Sequence, residues 1–184
     1  MQYMLYFYWR FGMMIKPLCI IISLCFYQFA WADKPIMADS ETSITDIIQA
    51  LQKQKMRGYR DIDGIVEDEP PKIAALIHFE IDSAIILEES KPLLNKFGQA
   101  LRSDELAHSI LMIAGHTDNT GVQIHNLALS YRRAESVKNY LMESYGLTEL
   151  RLIMRAYGEE QPIDSNETVP GRAINRRVEF IRID

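Results

Sequence analysis

The strongest constraint on the fold is a regular change of hydrophobic period between residues 73 and 184. Short apolar runs of strand length alternate there with longer segments whose apolar residues recur every three or four positions, the spacing of one helical face. The order is strand, helix, strand, helix, strand, and then a loop and a closing strand. This order predicts an α+β domain whose helices pack on one face of a mixed four-stranded sheet.

The same patterns predict the bounds of the elements. The strands are expected at 76–81, 109–114, 151–157 and 177–183, and the helices at 90–102 and 127–144. The helix residues expected to face the core are Leu93, Leu94, Phe97, Leu101, Ala134, Val137 and Leu141. Pro92 lies in the first helical turn, where its missing amide hydrogen is tolerated. Gly115 is expected to mark the end of the second strand, and residues 164–171 to form an exposed loop.

Residues 1–32 have the composition of a targeting segment. They contain no acidic residue, and Arg10 and Lys16 are their only charges. Counted from Met14, Lys16 forms the basic region, residues 18–29 form the apolar region, and Ala30-Trp31-Ala32 is a small-x-small cleavage site. The sequence therefore predicts a signal peptide over 1–32, with Met14 as the true start and a mature chain that begins at Asp33.

Two other roles for this leader remain open. An uncleaved membrane anchor needs about 20 apolar residues, so residues 18–32 would suffice only together with residues before them. A lipoprotein anchor at Cys25 is less favoured, because Leu24 precedes it where a small residue is expected. Both cysteines, Cys19 and Cys25, lie in the leader, so a cleaved chain has no disulfide framework. Cleavage would leave 18 basic and 25 acidic residues, a net charge of −7 that does not favour nucleic acid.

Residues 33–72 are predicted to be a linker that holds one short helix. Ile44, Ile47, Ile48 and Leu51 share one helical face, and Ser43 or Thr45 could cap the helix. Gly58, Gly64, the acidic run 67–69 and Pro70-Pro71 follow, a composition typical of a stiffened tether. The apolar face could pack on the flank of the domain, or residues 44–51 could dock on an envelope protein partner.

Two segments carry the candidate chemistry. The run Gly-His-Thr-Asp-Asn-Thr-Gly at 115–121 follows the second strand, and Leu-Ser-Tyr-Arg-Arg-Ala at 129–134 lies on the next helix. The Asp118 carboxylate and the Arg133 guanidinium would together receive a ligand that carries both an ammonium and a carboxylate. This pair predicts a binding site. The alternative is an Asp118–Arg133 salt bridge that only joins loop to helix.

These two segments, with 77–84, 157–162 and 175–178, resemble the OmpA-like domain family, the peptidoglycan-binding module of Gram-negative envelopes. The resemblance covers about residues 73–184. It implies non-covalent binding of the diaminopimelate in the peptidoglycan stem peptide, with Asp118 taking the ammonium and Arg133 the carboxylate. It also implies that Asp82, Ser83 and Ala84 form a pocket wall whose backbone amides face the ligand. Leu129 is expected to supply an apolar floor.

Four further residues are expected to support this site: Thr117, Asn126, Asn175 and Arg176. Asn126 is interpreted as a cap at the start of the helix that fixes the preceding loop. Residues 175–177 could line the far wall of the pocket or pair with Glu159 and Glu160, and Arg177 is expected to be structural. His125 replaces the Tyr that is usual before this Asn in the family, which affects only the packing of the loop.

The predicted function is therefore the tethering or organisation of the Gram-negative envelope by a periplasmic protein that is associated with peptidoglycan; an association with the outer membrane is left open, because it would need a partner or a further anchor. The alternative is a wall-anchoring subunit of a membrane-bound secretion or motor-type complex with an uncleaved N-terminal helix. A proton-driven stator is disfavoured, because residues 1–32 lack an intramembrane carboxylate.

An enzymatic role is also disfavoured. His78, His116, Asp118 and His125 could in principle ligate a metal, but the sequence has no His-Glu-x-x-His pair, no glycine-rich phosphate loop and no serine elbow. We therefore expect no catalytic residue and no cofactor.

Overall fold

The computed structural model describes residues 35–52 and 69–184; the predicted signal peptide and residues 33–34 and 53–68 of the predicted linker lie outside the described residues. Short 3-10 turns at Glu88–Ser90 and Glu149–Arg151 accompany the main elements. In chain order these are β1 (Ile36–Ala38), α1 (Ile44–Leu51), β2 (Lys72–Ala75), α2 (Lys91–Leu101), β3 (Leu111–His116), α3 (Gln123–Tyr145), β4 (Leu152–Gly158), α4 (Val169–Asn175) and β5 (Val178–Arg182).

The strands form one mixed sheet in the order β1-β2-β5-β3-β4. β5 runs antiparallel to both of its neighbours, whereas β1 pairs with β2 and β3 pairs with β4 in parallel. The mixed α+β architecture confirms the prediction, but the described sheet has five strands where four were expected. The additional strand, β1, comes from the predicted linker and pairs with β2.

The helices α1, α2 and α3 cover one face of this sheet. Their apolar residues and those of the strands form a single buried cluster, in which the rings of Phe97 and Phe180 stack at 4.1 Å. All seven helix residues that were predicted to face the core are buried. Each buried Leu, Val or Phe side chain among them contributes about 2 kcal/mol of hydrophobic stabilisation.

Helix α1 packs on the domain. Ser43 caps it through a reciprocal pair of hydrogen bonds with Asp46. Ile47 and Leu51 are fully buried, and Ile44 and Ile48 pack against the same core. The apolar face that sequence analysis left available to a partner is therefore covered by the domain itself, and a partner at residues 44–51 would meet polar side chains.

The first predicted strand is displaced. β2 ends at Ala75, and residues 78–87 instead form a narrow loop closed by the Glu80 N–Ile85 O and Leu87 N–His78 O hydrogen bonds, each 3.0 Å long. Asp82 stands at its tip with φ 50°. The strand prediction was wrong here because apolar residues alone do not distinguish a ladder strand from a looped hairpin.

Gly115 does not end its strand, since β3 continues to His116. A Cβ atom on Gly115 would lie 2.1 Å from the carbonyl oxygen of Ser130. The glycine therefore permits the backbone of α3 to approach β3 closely, a packing requirement that resembles a turn signal in sequence.

Two helix predictions also change. α3 begins at Gln123, four residues before the predicted start, and α4 occupies part of the predicted exposed loop. Thr168 caps α4 by accepting a hydrogen bond from the Gly171 amide, and Pro170 lies in its first turn. Among the described residues, no helix has both the length and the apolar character that crossing a bilayer requires.

Candidate functional site

A cavity of about 680 Å³ opens beyond the end of β3. Three parts of the chain build it: the loop around Asp82, the segment after β3 together with the first turns of α3, and the α4 region. Its lining residues are Phe79, Glu80, Ile81, Asp82, Thr117, Asp118, Thr120, Gly121, His125, Asn126, Leu129, Arg133, Arg172 and Arg176. We call this cavity the β3 pocket.

Asp118 is held in the β3 pocket by two hydrogen bonds. Its Oδ2 accepts from Arg176 Nη1 at 2.6 Å, and its Oδ1 accepts from the Thr120 amide at 2.9 Å. Burial alone would raise the pKa of Asp118, but the hydrogen bonds from Arg176 and Thr120 outweigh it and leave the pKa below its usual value. Asp118 is therefore a carboxylate at neutral pH.

Arg133 reaches the pocket from α3 and is also largely buried. Its Nε donates to the carbonyl oxygen of Ser83 at 3.0 Å, and its Cζ lies 5.0 Å from the centroid of the Phe79 ring. Neither Nη nitrogen donates to any residue in the described part of the chain. Burial and then the charge of Arg176 lower the pKa of Arg133, while Asp118 and Asp82 oppose this effect.

The ion pair of Asp118 is formed with Arg176, whereas Arg133 is fixed by the Ser83 carbonyl. The alternative in which an Asp118–Arg133 salt bridge only joins loop to helix is thus not what the structure contains. Instead, Asp118 faces the same cavity as Arg133 and Arg176, together with two further acids and one further arginine. As far as the described residues are concerned, the terminal nitrogens of Arg133 remain available to an anionic group.

Asn126 acts differently from a helix cap. It lies inside α3, whose N-cap is Val122. Its Nδ2 is within hydrogen-bond distance of the carbonyl oxygens of Asp118 (3.3 Å) and Thr120 (3.1 Å) and of Glu159 Oε2 (2.5 Å). Asn126 thus fixes the loop that presents Asp118, as predicted, but from within the helix, because α3 starts earlier.

The three residues of the predicted wall, Asp82-Ser83-Ala84, do not all line the β3 pocket. Asp82 lines the pocket, and its Oδ1 lies 2.6 Å from His125 Nε2 on α3. Ser83 and Ala84 line a neighbouring groove instead. The loop is therefore a partition, attached to α3 by the contacts of Asp82 with His125 and of Ser83 with Arg133.

The other predicted residues take separate places. Thr117 and Leu129 line the β3 pocket, and Leu129 is the buried apolar surface that was expected there. Asn175 is fully buried, and its side chain bonds to residues 163, 164 and 166. Arg177 pairs with Glu179, so its expected structural role agrees with its position.

Arg172 lines the pocket, although sequence analysis did not select it. Arg176, the residue that follows the last residue of α4, comes four positions after Arg172 and its amide donates to the Arg172 carbonyl oxygen, so the two arginines lie on one side of the helix. The signal was available in the Thr168 cap and Pro170, the usual signature of a helix start, but Gly171 and the shortness of the helix favoured a loop.

The histidines considered for a metal site are dispersed. His116 is buried and stacks on Tyr157 at 5.1 Å, whereas His78 lies 2.6 Å from Glu89 at the surface. Over residues 35–52 and 69–184, no three His, Cys, Asp or Glu side chains are arranged to hold a metal ion.

The fold and the pocket define an α+β domain with an open cavity of mixed charge at one end of its sheet. The family model described as the OmpA family matches residues 78–176, more than half of the chain, and the protein belongs to this family. The match includes the candidate residues from Asp82 to Arg176.

Individual relatives agree with this assignment. The chain is 39% identical over 102 residues to outer membrane protein A of Bordetella avium, covering 55% of this chain and 51% of that protein. It is 31% identical over 120 residues to the peptidoglycan-associated lipoprotein of Pseudomonas aeruginosa, covering 65% of this chain and 69% of that one. It thus spans about half the length of the Bordetella relative.

Among solved structures, the chain is similar to the cell wall anchor of the T6SS from Pseudomonas aeruginosa. The TM-score is 0.50 at 30% sequence identity, and the match covers 58% of this chain and 75% of the anchor. The OmpA-like architecture predicted from the sequence is confirmed.

Proposed function

We propose that this protein binds peptidoglycan non-covalently through the diaminopimelate residue of the stem peptide. Asp118 accepts hydrogen bonds from the ligand's ammonium group, and Arg133 donates two parallel hydrogen bonds to its carboxylate. The observation that carries the proposal is the presence of both groups in one open cavity, where Nε is the only nitrogen of Arg133 that donates to a residue in the described part of the chain. A ligand with both charges at the matching separation would be selected over simple ions.

In the proposed complex, the ligand's ammonium group and Arg176 both donate hydrogen bonds to the carboxylate of Asp118. Without ligand, Arg176 occupies Oδ2, and the Thr120 amide occupies Oδ1. A carboxylate offers about four acceptor positions, so an ammonium can add to Asp118 beside Arg176. Leu129 would contact the methylene groups of the ligand, while Thr117 and Asp82 shape the rim.

The cellular role follows from the same proposal. The protein would be exported to the periplasm by residues 1–32 and would tether or organise the envelope by holding the wall. The support is that its relatives are named as outer membrane proteins and peptidoglycan-associated lipoproteins. Binding and tethering of this kind require neither catalysis nor a cofactor.

A second candidate is a wall-anchoring subunit of a membrane-bound complex. The observation that favours it is the similarity to the cell wall anchor of the T6SS. The two candidates differ in the fate of the leader. N-terminal sequencing of the protein from isolated envelopes would give Asp33 for the exported protein and an intact leader for the anchored subunit.

Co-sedimentation with diaminopimelate-containing sacculi tests the proposal. The native protein should pellet, whereas Asp118→Ala, Arg133→Ala and Arg133→Lys should each reduce the bound fraction about tenfold or more. The lysine variant is decisive, because an ammonium keeps the charge but cannot form two parallel bonds to a carboxylate. Arg155→Ala, which removes an exposed arginine on β4, is the matched control and should pellet normally. Undiminished pelleting of all three pocket variants, with native circular dichroism, would contradict the assignment.

A further inference from the structure

The loop at residues 78–87, with Asp82 at its tip, separates the β3 pocket from a second open cavity of about 550 Å³. We call this second cavity the α3 groove. Residues 83–86 form one wall, and Arg132, Ser136 and Asn139 of α3 lie on the other. Asp82 lines both cavities, so the two meet at this residue.

Two adjacent arginines of α3 line different cavities. Successive helix residues project about 100° apart, and accordingly Arg133 lines the pocket whereas Arg132 lines the groove. Arg132 is exposed. Its charge makes the smallest contribution to the lowered pKa of Arg133, behind burial and the charge of Arg176, so the pocket and the groove have guanidinium groups that affect each other only weakly.

The groove is rich in hydrogen-bond donors. Arg132, Ser136 and Asn139 offer donors from the helix. On the loop, the Ile85 amide donates to Ser83 Oγ at 3.0 Å, whereas the Ala84 amide donates to no described residue. Ile85, 59% exposed, adds an apolar surface to this wall.

The carboxylates of the groove lie toward its two ends. Asp82 at the pocket end is within 2.6 Å of His125, and Glu143 lines the other end. Arg132 and Glu143 are eleven positions apart on α3, a distance of about 16 Å that would accommodate four to five extended residues. An elongated, polar and open groove of this kind suits a peptide segment better than a compact apolar ligand.

We propose that the α3 groove is a second subsite for the wall, which holds the peptide segment attached to the bound diaminopimelate, with Arg132 binding a carboxylate on that segment. This inference rests on the proposed function, because diaminopimelate must occupy the β3 pocket before its neighbours can reach the groove. Diaminopimelate in the wall is joined to other residues by amide bonds. The chain must therefore leave the pocket across its rim, and Asp82 joins that rim to the groove.

The test compares two probes by calorimetry or NMR titration of the purified protein: free diaminopimelate, and an N-acetylmuramyl tripeptide that ends in diaminopimelate. The glutamate residue of the tripeptide carries a free carboxylate. The native protein should bind the tripeptide about tenfold more tightly than the free amino acid. Arg132→Ala should remove this advantage and leave the affinity for free diaminopimelate unchanged.

A third probe identifies the group that Arg132 binds. Amidation of the glutamate carboxylate should weaken tripeptide binding to the native protein by the same factor, and it should have no effect on Arg132→Ala, since the variant has already lost that contact. Arg133→Ala should lose both unmodified probes. Arg155→Ala serves again as the control and should bind all three probes as the native protein does.

The outcomes separate the two proposals. If the native protein binds free diaminopimelate but gains nothing from the tripeptide, or if Arg132→Ala weakens both unmodified probes equally, the groove is not a subsite and the proposed function stands. If neither unmodified probe binds the native protein, the proposed function fails and the inference fails with it. A selective loss of the tripeptide advantage in Arg132→Ala supports both.

Discussion

At the residue scale, the ion pair between Arg177 and Glu179 is the most deeply buried charge contact in the described part of the chain. The two side chains are 2% and 8% exposed, and Arg177 Nη2 lies 2.6 Å from Glu179 Oε1. Burial lowers the pKa of Arg177, and Glu179 works against that effect. The pair lies on the sheet face opposite the core residue Phe180, so each charge depends on the other for compensation.

Arg177→Met should therefore lower the free energy of unfolding by about 3 kcal/mol, because Glu179 is left buried without its partner. Urea unfolding followed by circular dichroism measures this change. Glu88→Gln, which removes an exposed carboxylate that pairs with Lys91 at the surface, is the control and should leave the midpoint almost unchanged. The double variant Arg177→Met with Glu179→Leu should recover part of the lost stability. If Arg177→Met alone had the same midpoint as the native protein, the pair would not be needed for stability.

His116 should make stability depend on pH. Burial, with a smaller effect of Arg177, lowers the pKa of His116 from 6.5 to about 3. Between these two pH values, His116 takes up a proton in the unfolded chain but not in the folded one. The free energy of unfolding is therefore unaffected by protonation of His116 above pH 6.5 and falls as the pH decreases toward 3. The slope should approach about 1.4 kcal/mol per pH unit in that window.

The matched variant for this prediction is His116→Phe, which keeps an aromatic ring against Tyr157 and cannot take up a proton. Urea midpoints at a series of pH values from neutral to acid should fall more steeply for the native protein than for the variant. Parallel curves would mean that His116 is protonated as easily in the folded state as in the unfolded chain.

At the element scale, the contact between α3 and β3 depends on Gly115. Gly115→Ala would bring a Cβ within 2.1 Å of the Ser130 carbonyl oxygen, an atom of helix backbone that cannot rotate away. We expect a loss of about 3 kcal/mol in the free energy of unfolding, and weaker wall binding because α3 carries Arg133. Gly146→Ala is the control: φ is 65° but nothing lies within 4 Å, so only about 1 kcal/mol of backbone strain is expected. Equal effects of the two variants would show that helix and strand can separate freely.

At the scale of the whole molecule, the segment 35–52 is part of the domain. β1 extends the sheet, and Leu51 of α1 is fully buried in the common core. Leu51→Ala should lower the stability of the whole domain in one cooperative transition, by about 3 kcal/mol, while sacculus binding of the folded protein persists. Ile36→Ala, at a position 62% exposed, should have little effect. A separate early transition in Leu51→Ala would mean that this segment unfolds independently.

Several features were predictable because they are local. Periods of two and of three to four gave the helices, most of the strands and the buried residues Leu94, Phe97 and Leu141. The order of the motifs gave the family, and it placed Asp118 and Arg133 in a common site. The periodic patterns depend on residues within a few positions of one another, and the family depends on the order of motifs along the chain, so both can be read without knowing the contacts in space.

The remaining features depend on residues that are distant in sequence. Arg176 meets Asp118 across 58 positions, and Ser83 accepts from Arg133 across 50. The addition of β1 to the sheet joins Ile36 to Ile73. Such contacts leave no periodic trace in the sequence, because they arise only when the strand order brings the loop ends together.

The sequence by itself thus determined the class of fold, the family and the two charged residues at the centre of the proposed site, since hydrophobic period and motif spacing are properties of the chain alone. Only the tertiary structure decided that Arg176 pairs with Asp118, that the loop around Asp82 divides two cavities, and that Arg132 and Arg133 face different ones. The physical reason is that charge pairing and cavity shape depend on distances in space, and these are set by the packing of α3, α4 and the loop around a common sheet.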